Sequence, residues 1–188
     1  MNIKPQILIL LVLSIISCQN GATTNSNNTE KYKGYSSYIK DSDLHFLTNY
    51  QEGLECAKQN NFPIFLLFTA HGLGDNEFSS HLVNSKRIRK ILNNKCVTVI
   101  LYVDDNQKLS DSLQVRNLEL QDKSIEAIKE KNTIGALNAF IQIDKFQSNN
   151  QPFYVLMTSE EEQIIEPSGY TSRDEKKFFS RLSEGLKR

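Results

Sequence analysis

The chain is 188 residues long, with 22 basic and 22 acidic side chains and a formal net charge of zero. That length suits one domain with appendages, and the balanced charge excludes the basic electrostatic footprint of a nucleic-acid-binding protein. Hydrophobic residues make up 39% of the chain, a modest average that a polar stretch near the N-terminus dilutes, so the remainder can bury a core.

Met1 to Ser17 reads as a targeting segment. Lys4 supplies a positive start, and Ile7 to Ile16 is an apolar run of signal-peptide length, well short of the roughly 20 residues that span a bilayer. The segment ends Ile15-Ile16-Ser17-Cys18. This resembles the bacterial lipoprotein box, in which an aliphatic residue, a small or aliphatic residue and a small residue precede the cysteine that becomes the acylated N-terminus. Cys18 is therefore the expected lipidation site; the alternative is an ordinary cleaved signal beside an incidental cysteine. Several acyl chains on one residue anchor stably, whereas one alone is marginal. Residues 18–37 are rich in Asn, Thr, Ser and Gly with almost no aliphatic side chain, which predicts a flexible polar tether. Gln19-Asn20-Gly21-Ala22 lacks the acidic cluster that resembles a surface-export signal. The expected location is the cell envelope, lipid-anchored on the periplasmic face of the outer membrane.

The folded domain is then expected over residues 38–188. An extra N-terminal element around Ser37 to Phe46 precedes a helix from Tyr50 to Asn60, with Leu54 and Ala57 on its apolar side and Asn60-Asn61 before Pro63 as its stop. Pro63 to Phe68 reads as a buried strand. Beyond a loop, Phe78, Leu82 and Val83 recur at helical spacing, and Ile88, Ile91 and Leu92 continue that face after a break at Asn84-Ser85. Cys96 to Val103 is too uniformly apolar and β-branched for a surface helix and predicts a central parallel strand, joined to the first by a right-handed crossover. Asp122 to Lys131 predicts a short solvated helix, and Ile134, Leu137, Phe140 and Ile141 an apolar face on the next, ended by Ser148-Asn149-Asn150. Phe153 to Met157 reads as a strand, Ser159 to Glu162 as a turn, Gln163 to Glu166 as a partner strand, and Thr171 to Leu186 as a terminal helix built on Phe178, Phe179 and Leu182. The fold class that follows is α/β, a mixed central sheet with helices on both faces.

Five stretches carry a resemblance. They are Asn49 to Lys58, Pro63 to Thr69, Ile100-Leu101-Tyr102-Val103-Asp104-Asp105, Gln151-Pro152-Phe153-Tyr154-Val155-Leu156 and the closing Gly185-Leu186. In this order the chain from about His45 resembles the thioredoxin-like family of Bacteroidetes type, similar to the periplasmic C-terminal domain of the transmembrane thiol:disulfide interchange reductases. The resemblance implies a thioredoxin-like fold. It also implies that Pro152 is the fold's cis-proline, with Gln151 presenting backbone groups beside the active loop, where a peptide substrate's main chain can pair. The departure falls at the active loop. The family's Gly-Cys-Val-Asn-Cys is here Gly72-Leu73-Gly74-Asp75-Asn76, so the two thiol positions hold Leu73 and Asn76, and neither can attack or resolve a disulfide. No catalytic residue is assigned and no cofactor is expected.

Three other groups have chemistry to weigh. Cys56 and Cys96 remain as thiols once Cys18 is acylated; they read as small core hydrophobes, with a disulfide between them as the alternative in an oxidising compartment. His71, Asp75, Glu77 and His81 have metal-ligand side chains, but their spacing matches no compact zinc signature. Asp104-Asp105 reads as turn chemistry and Glu160-Glu161-Glu162 as a solvated hairpin tip. The expected function is a membrane-anchored, redox-inactive, monomeric thioredoxin-like lipoprotein. It would bind an extended segment of an envelope protein through Leu73, Asn76, His71, Gln151 and Pro152. Alternatives are a thiol:disulfide oxidoreductase of the cell envelope working through Cys56 or Cys96, and a metal-binding envelope protein using His71 and His81.

Overall fold

The computed structural model describes residues 30–41, 43–71, 85–110, 132–169 and 175–187. Six strands, β1 (Tyr38–Asp41), β2 (Leu44–Leu47), β3 (Ile64–Thr69), β4 (Val97–Tyr102), β5 (Phe153–Met157) and β6 (Gln163–Gly169), form one sheet in the order β1-β2-β4-β3-β5-β6. Strand β3 is at its centre. It runs parallel to β4 from Ile64↔Val97 to Thr69↔Tyr102 and antiparallel to β5 from Ile64↔Met157 to Phe68↔Phe153. A strand bonded on both sides and covered on both faces has no solvent side, so Ile64 to Phe68 is apolar without alternation and wholly buried.

Four helices are seen among the described residues: α1 (Tyr50–Asn60), α2 (Lys86–Lys95), α3 (Ile134–Phe146) and α4 (Glu175–Gly185). Asn49 Oδ1 accepts the Glu52 N–H at 3.0 Å, Ser85 Oγ the Ile88 N–H at 3.4 Å and Thr133 Oγ1 the Ala136 N–H at 3.2 Å, each satisfying a donor that a helix start leaves without an intrahelical partner. Asn61 and Gln147 turn left-handed, with φ of 53° and 50°, and close α1 and α3. The helices α2 and α4 cover one face of the sheet, packing Ile88, Leu92, Phe178 and Leu182 on Phe65, Leu67, Tyr154 and Leu156. On the other face α1 and α3 pack Leu54, Cys56, Ala57, Ile141 and Phe146 on Leu66, Phe68, Val99 and Val155. A Cβ at Gly53 would come within 2.4 Å of Val99 Cγ2, so α1 lies closer to β4 than a larger residue permits.

The sequence expectation needs correcting in three places. First, residues 30–37, expected to belong to the tether, are folded onto the domain. A 3-10 turn, Glu30–Tyr32, leaves Tyr32 1% exposed, stacked on Tyr38 with ring centroids 5.4 Å apart. The Tyr32 hydroxyl accepts the Thr98 N–H at 3.0 Å, standing in for a strand carbonyl. The Ser36 and Ser37 hydroxyls and N–H groups donate to the Glu52 carboxylate. One buried aromatic and one carboxylate clamp thus order a stretch whose composition is that of a linker. Second, the buried residues of α3 are Gly135, Asn138 and Gln142. Ile134, Leu137 and Phe140 are half-buried and, with Leu54 and Leu109, line a groove of about 590 Å³. Third, β6 continues past Glu166 to Gly169, with Pro167 tolerated because β6 is an edge strand. The helices expected at Phe78 to Val83 and at Asp122 to Lys131 lie outside the described residues. Among the described residues no helix is long and apolar enough to cross a membrane.

A chain beginning at Glu30 should unfold cooperatively with the stability of the longer one, whereas one beginning at Tyr38 should lose most of it. Tyr32→Ala should cost about 3–5 kcal/mol in urea unfolding, the range for deleting a large buried aromatic. Equal midpoints for the two truncations would show that residues 30–37 add nothing to the folded unit.

Candidate functional site

The C-terminal ends of β3 and β4 and the start of β5 meet at one pole of the sheet. Strand β3 runs out through Ala70 to His71, whose N–H donates to Asp104 Oδ1 at 2.8 Å. The His71 imidazole stacks on the Tyr102 ring, with centroids 3.8 Å apart and planes 5° apart. One strand away, the peptide bond Gln151–Pro152 is cis, immediately before the Phe153 that pairs with Phe68. His71, Gln151 and Pro152 are therefore brought to the same pole. Leu73 and Asn76 lie outside the described residues, as do Asp75, Glu77 and His81.

Two residues that sequence reasoning missed hold this pole together, and both are on α3. Asn138, 4% exposed, donates its amide to the Tyr102 carbonyl at 2.9 Å. Gln142, fully buried, donates to the Asn150 carbonyl at 2.7 Å and accepts from the Gln151 side chain at 2.9 Å. Buried amides are costly unless bonded, and here their bonds tie the end of β4 and the approach to Pro152 to one rigid helix. The sequence signal was a pair of amides four apart within the otherwise apolar run Ile134 to Ile143. At the helix start, a Cβ on Gly135 would come within 2.5 Å of the Asp105 nitrogen, so only glycine lets α3 close on the β4 exit. Asp105 caps its own turn by accepting the Gln107 N–H at 2.8 Å, the turn role expected of it. Among the described residues Gln151 makes no main-chain hydrogen bond.

No protein-family model and no curated protein matches the chain. Among solved structures, a chain titled DsbH oxidoreductase superposes on it with a TM-score of 0.51 at 16% sequence identity, over 84% of this chain and 97% of that one. At that identity the likeness speaks to architecture. The fold is thioredoxin-like.

In this thioredoxin-like fold the described thiols are at the pole opposite Pro152. Cys56 lies in the last turns of α1 and Cys96 just before β4, both buried and neither in a disulfide. Lys31 fits between them. The Cys56 thiol donates to the Lys31 carbonyl at 3.1 Å, and the Lys31 ammonium donates to the Asn93 carbonyl at 2.6 Å and to the Cys96 carbonyl. Burial pushes Cys56 up to about 11 and Cys96 up to about 12, against the pull of the Lys31 charge, and burial brings Lys31 down to about 8. Reactive cysteines need partial exposure and a lowered pKa; these two have neither. Among the described residues no three His, Cys, Asp or Glu side chains converge on a metal position. Glu160, Glu161 and Glu162 are exposed, as expected of a solvated hairpin tip, and Glu161 also accepts from Lys145 at 2.8 Å and from the Tyr50 hydroxyl.

Both thiols should resist alkylation at pH 8 in the native protein, reacting at least about 100-fold more slowly than an exposed cysteine, and should label fully in denaturant. Native labelling at the free-cysteine rate would contradict their placement.

Proposed function

We propose that this chain is a lipid-anchored, redox-inactive thioredoxin-like protein that binds an extended segment of an envelope protein at the cis-proline pole. The observation that carries the reading is the pairing of a cis Gln151–Pro152 bond with the absence of any cysteine between Cys56 and Cys96 or after Cys96. Thioredoxin-like scaffolds use this edge to pair with a peptide's main chain, and strand addition requires open backbone groups and neighbouring side chains, with no thiol. Gln151 supplies the backbone, His71 on Tyr102 supplies a flat aromatic wall, and Leu73 and Asn76 follow in sequence from that wall. Binding in this form outlives the loss of catalysis. The Ile15-Ile16-Ser17-Cys18 box supports the anchor, with acyl chains on Cys18 holding the domain at the periplasmic face of the outer membrane.

The solved neighbour is titled an oxidoreductase. An oxidoreductase reading of this chain would have to use Cys56 or Cys96, and their burial and raised pKa values weigh against it. The purified protein should show no insulin-reducing turnover above background. Turnover abolished by Cys56→Ser or Cys96→Ser would establish the enzyme instead. Mass spectrometry of the membrane form should find acylated Cys18 as the first residue, and any other unmodified N-terminus would end the anchor.

A further inference from the structure

Every ionisable residue of α2 is cationic: Lys86, Arg87, Arg89, Lys90 and Lys95. In a chain of zero net charge this is a local excess, and it is kept against the helix's own preference, because cations in the first turn oppose the helix dipole. Ile88 and Leu92 are buried, and at 100° per residue Lys86, Arg87 and Lys90 fall in one exposed arc of roughly 100° on the other side. Arg89 points inward to Asp43, at 3.6 Å. The Arg87 guanidinium lies 3.3 Å from the centroid of the Phe179 ring, so its position is fixed. Among the described residues Lys86 and Lys90 form no ion pair.

The chain also enters the domain beside this helix. The Lys31 ammonium bonds the Asn93 and Cys96 carbonyls at the C-terminal end of α2, next to Lys95. Residues 19–29 separate Cys18 from the folded Glu30, a reach of at most roughly 40 Å, about the diameter of a domain this size. An acylated Cys18 would hold α2 within one domain diameter of the bilayer.

We propose that the Lys86, Arg87 and Lys90 face of α2 is a docking surface for the phosphate headgroups of an anionic bilayer. The inference rests on the membrane-anchored reading above and adds an orientation to it. A basic face and a lipid anchor act as two signals where each alone is weak. With α2 and α4 toward the lipid, the opposite layer, α1 and α3, faces water. Gln142 and Gln151, bonded to each other on that layer's side of the pole, are then turned to where a soluble partner arrives.

The test is co-sedimentation of residues 18–188 carrying Cys18→Ser, which removes the acyl anchor and keeps every described residue. The probes are vesicles of phosphatidylcholine alone and of phosphatidylcholine with phosphatidylglycerol. Binding to the phosphatidylglycerol vesicles only is expected, lost at roughly 0.5 M salt and weakened about tenfold or more by Lys86→Glu with Lys90→Glu. An acid at position 86 suits the helix dipole, so unchanged circular dichroism should accompany the loss. Equal binding to both vesicles, no binding at low salt, or binding untouched by the double variant would overturn the proposal. Capture of polyglutamate without vesicle binding would also overturn it, giving the face to an acidic protein. Failure of the anchor reads out separately, in the mass of the Cys18 residue in the membrane form.

Discussion

The parallel ladder between β3 and β4, with β5 on the other flank of β3, sets the terms for the rest of the molecule. A strand bonded on both sides and buried on both faces can expose only its two ends. The polar and thiol groups packed at the strand ends therefore collect at one pole or the other. At the C-terminal ends of β3 and β4 are His71, Tyr102 and Asp104, joined there by Gln151 and Pro152. At the N-terminal ends are Cys56, Cys96, Lys31 and Tyr32. The two described thiols, Cys56 and Cys96, thus lie at the opposite pole from the cis-proline.

Each pole carries buried polar bonds as well as apolar contact. At the upper one Asn138 and Gln142 reach from α3 to the Tyr102 and Asn150 carbonyls. At the lower one the Lys31 ammonium and the Tyr32 hydroxyl bind the Cys96 carbonyl and the Thr98 N–H. Such groups add little net stability when satisfied but are costly when one partner is lost. They select one arrangement of loop and strand.

What was legible in the sequence follows from the same physics. Strands β3, β4 and β5 were readable because full burial leaves uninterrupted apolar runs, and α1 because Asn61 and Pro63 punctuate it. Pro152 was readable through the resemblance of Gln151-Pro152-Phe153-Tyr154-Val155-Leu156, since position alone also allows a trans proline opening a strand. Tyr32 was hidden, since one aromatic in a polar stretch gives no periodicity and its burial depends on Tyr38 and the Thr98 N–H, which only the assembled sheet brings together. The α3 face was misjudged for a related reason. Counting apolar spacing assigns Ile134, Leu137 and Phe140 to the core, yet the closest approach belongs to Gly135, Asn138 and Gln142, where backbone carbonyls rather than side chains wait across the interface.

The central claim is that the cis-proline pole is a binding surface, and site-specific photo-crosslinking in the native envelope tests it most directly. A photoreactive residue at position 71 or 151 should give a discrete protein adduct, and one at position 60, at the opposite pole, should give none. Adducts of the same protein from position 60, with none from positions 71 and 151, would contradict it.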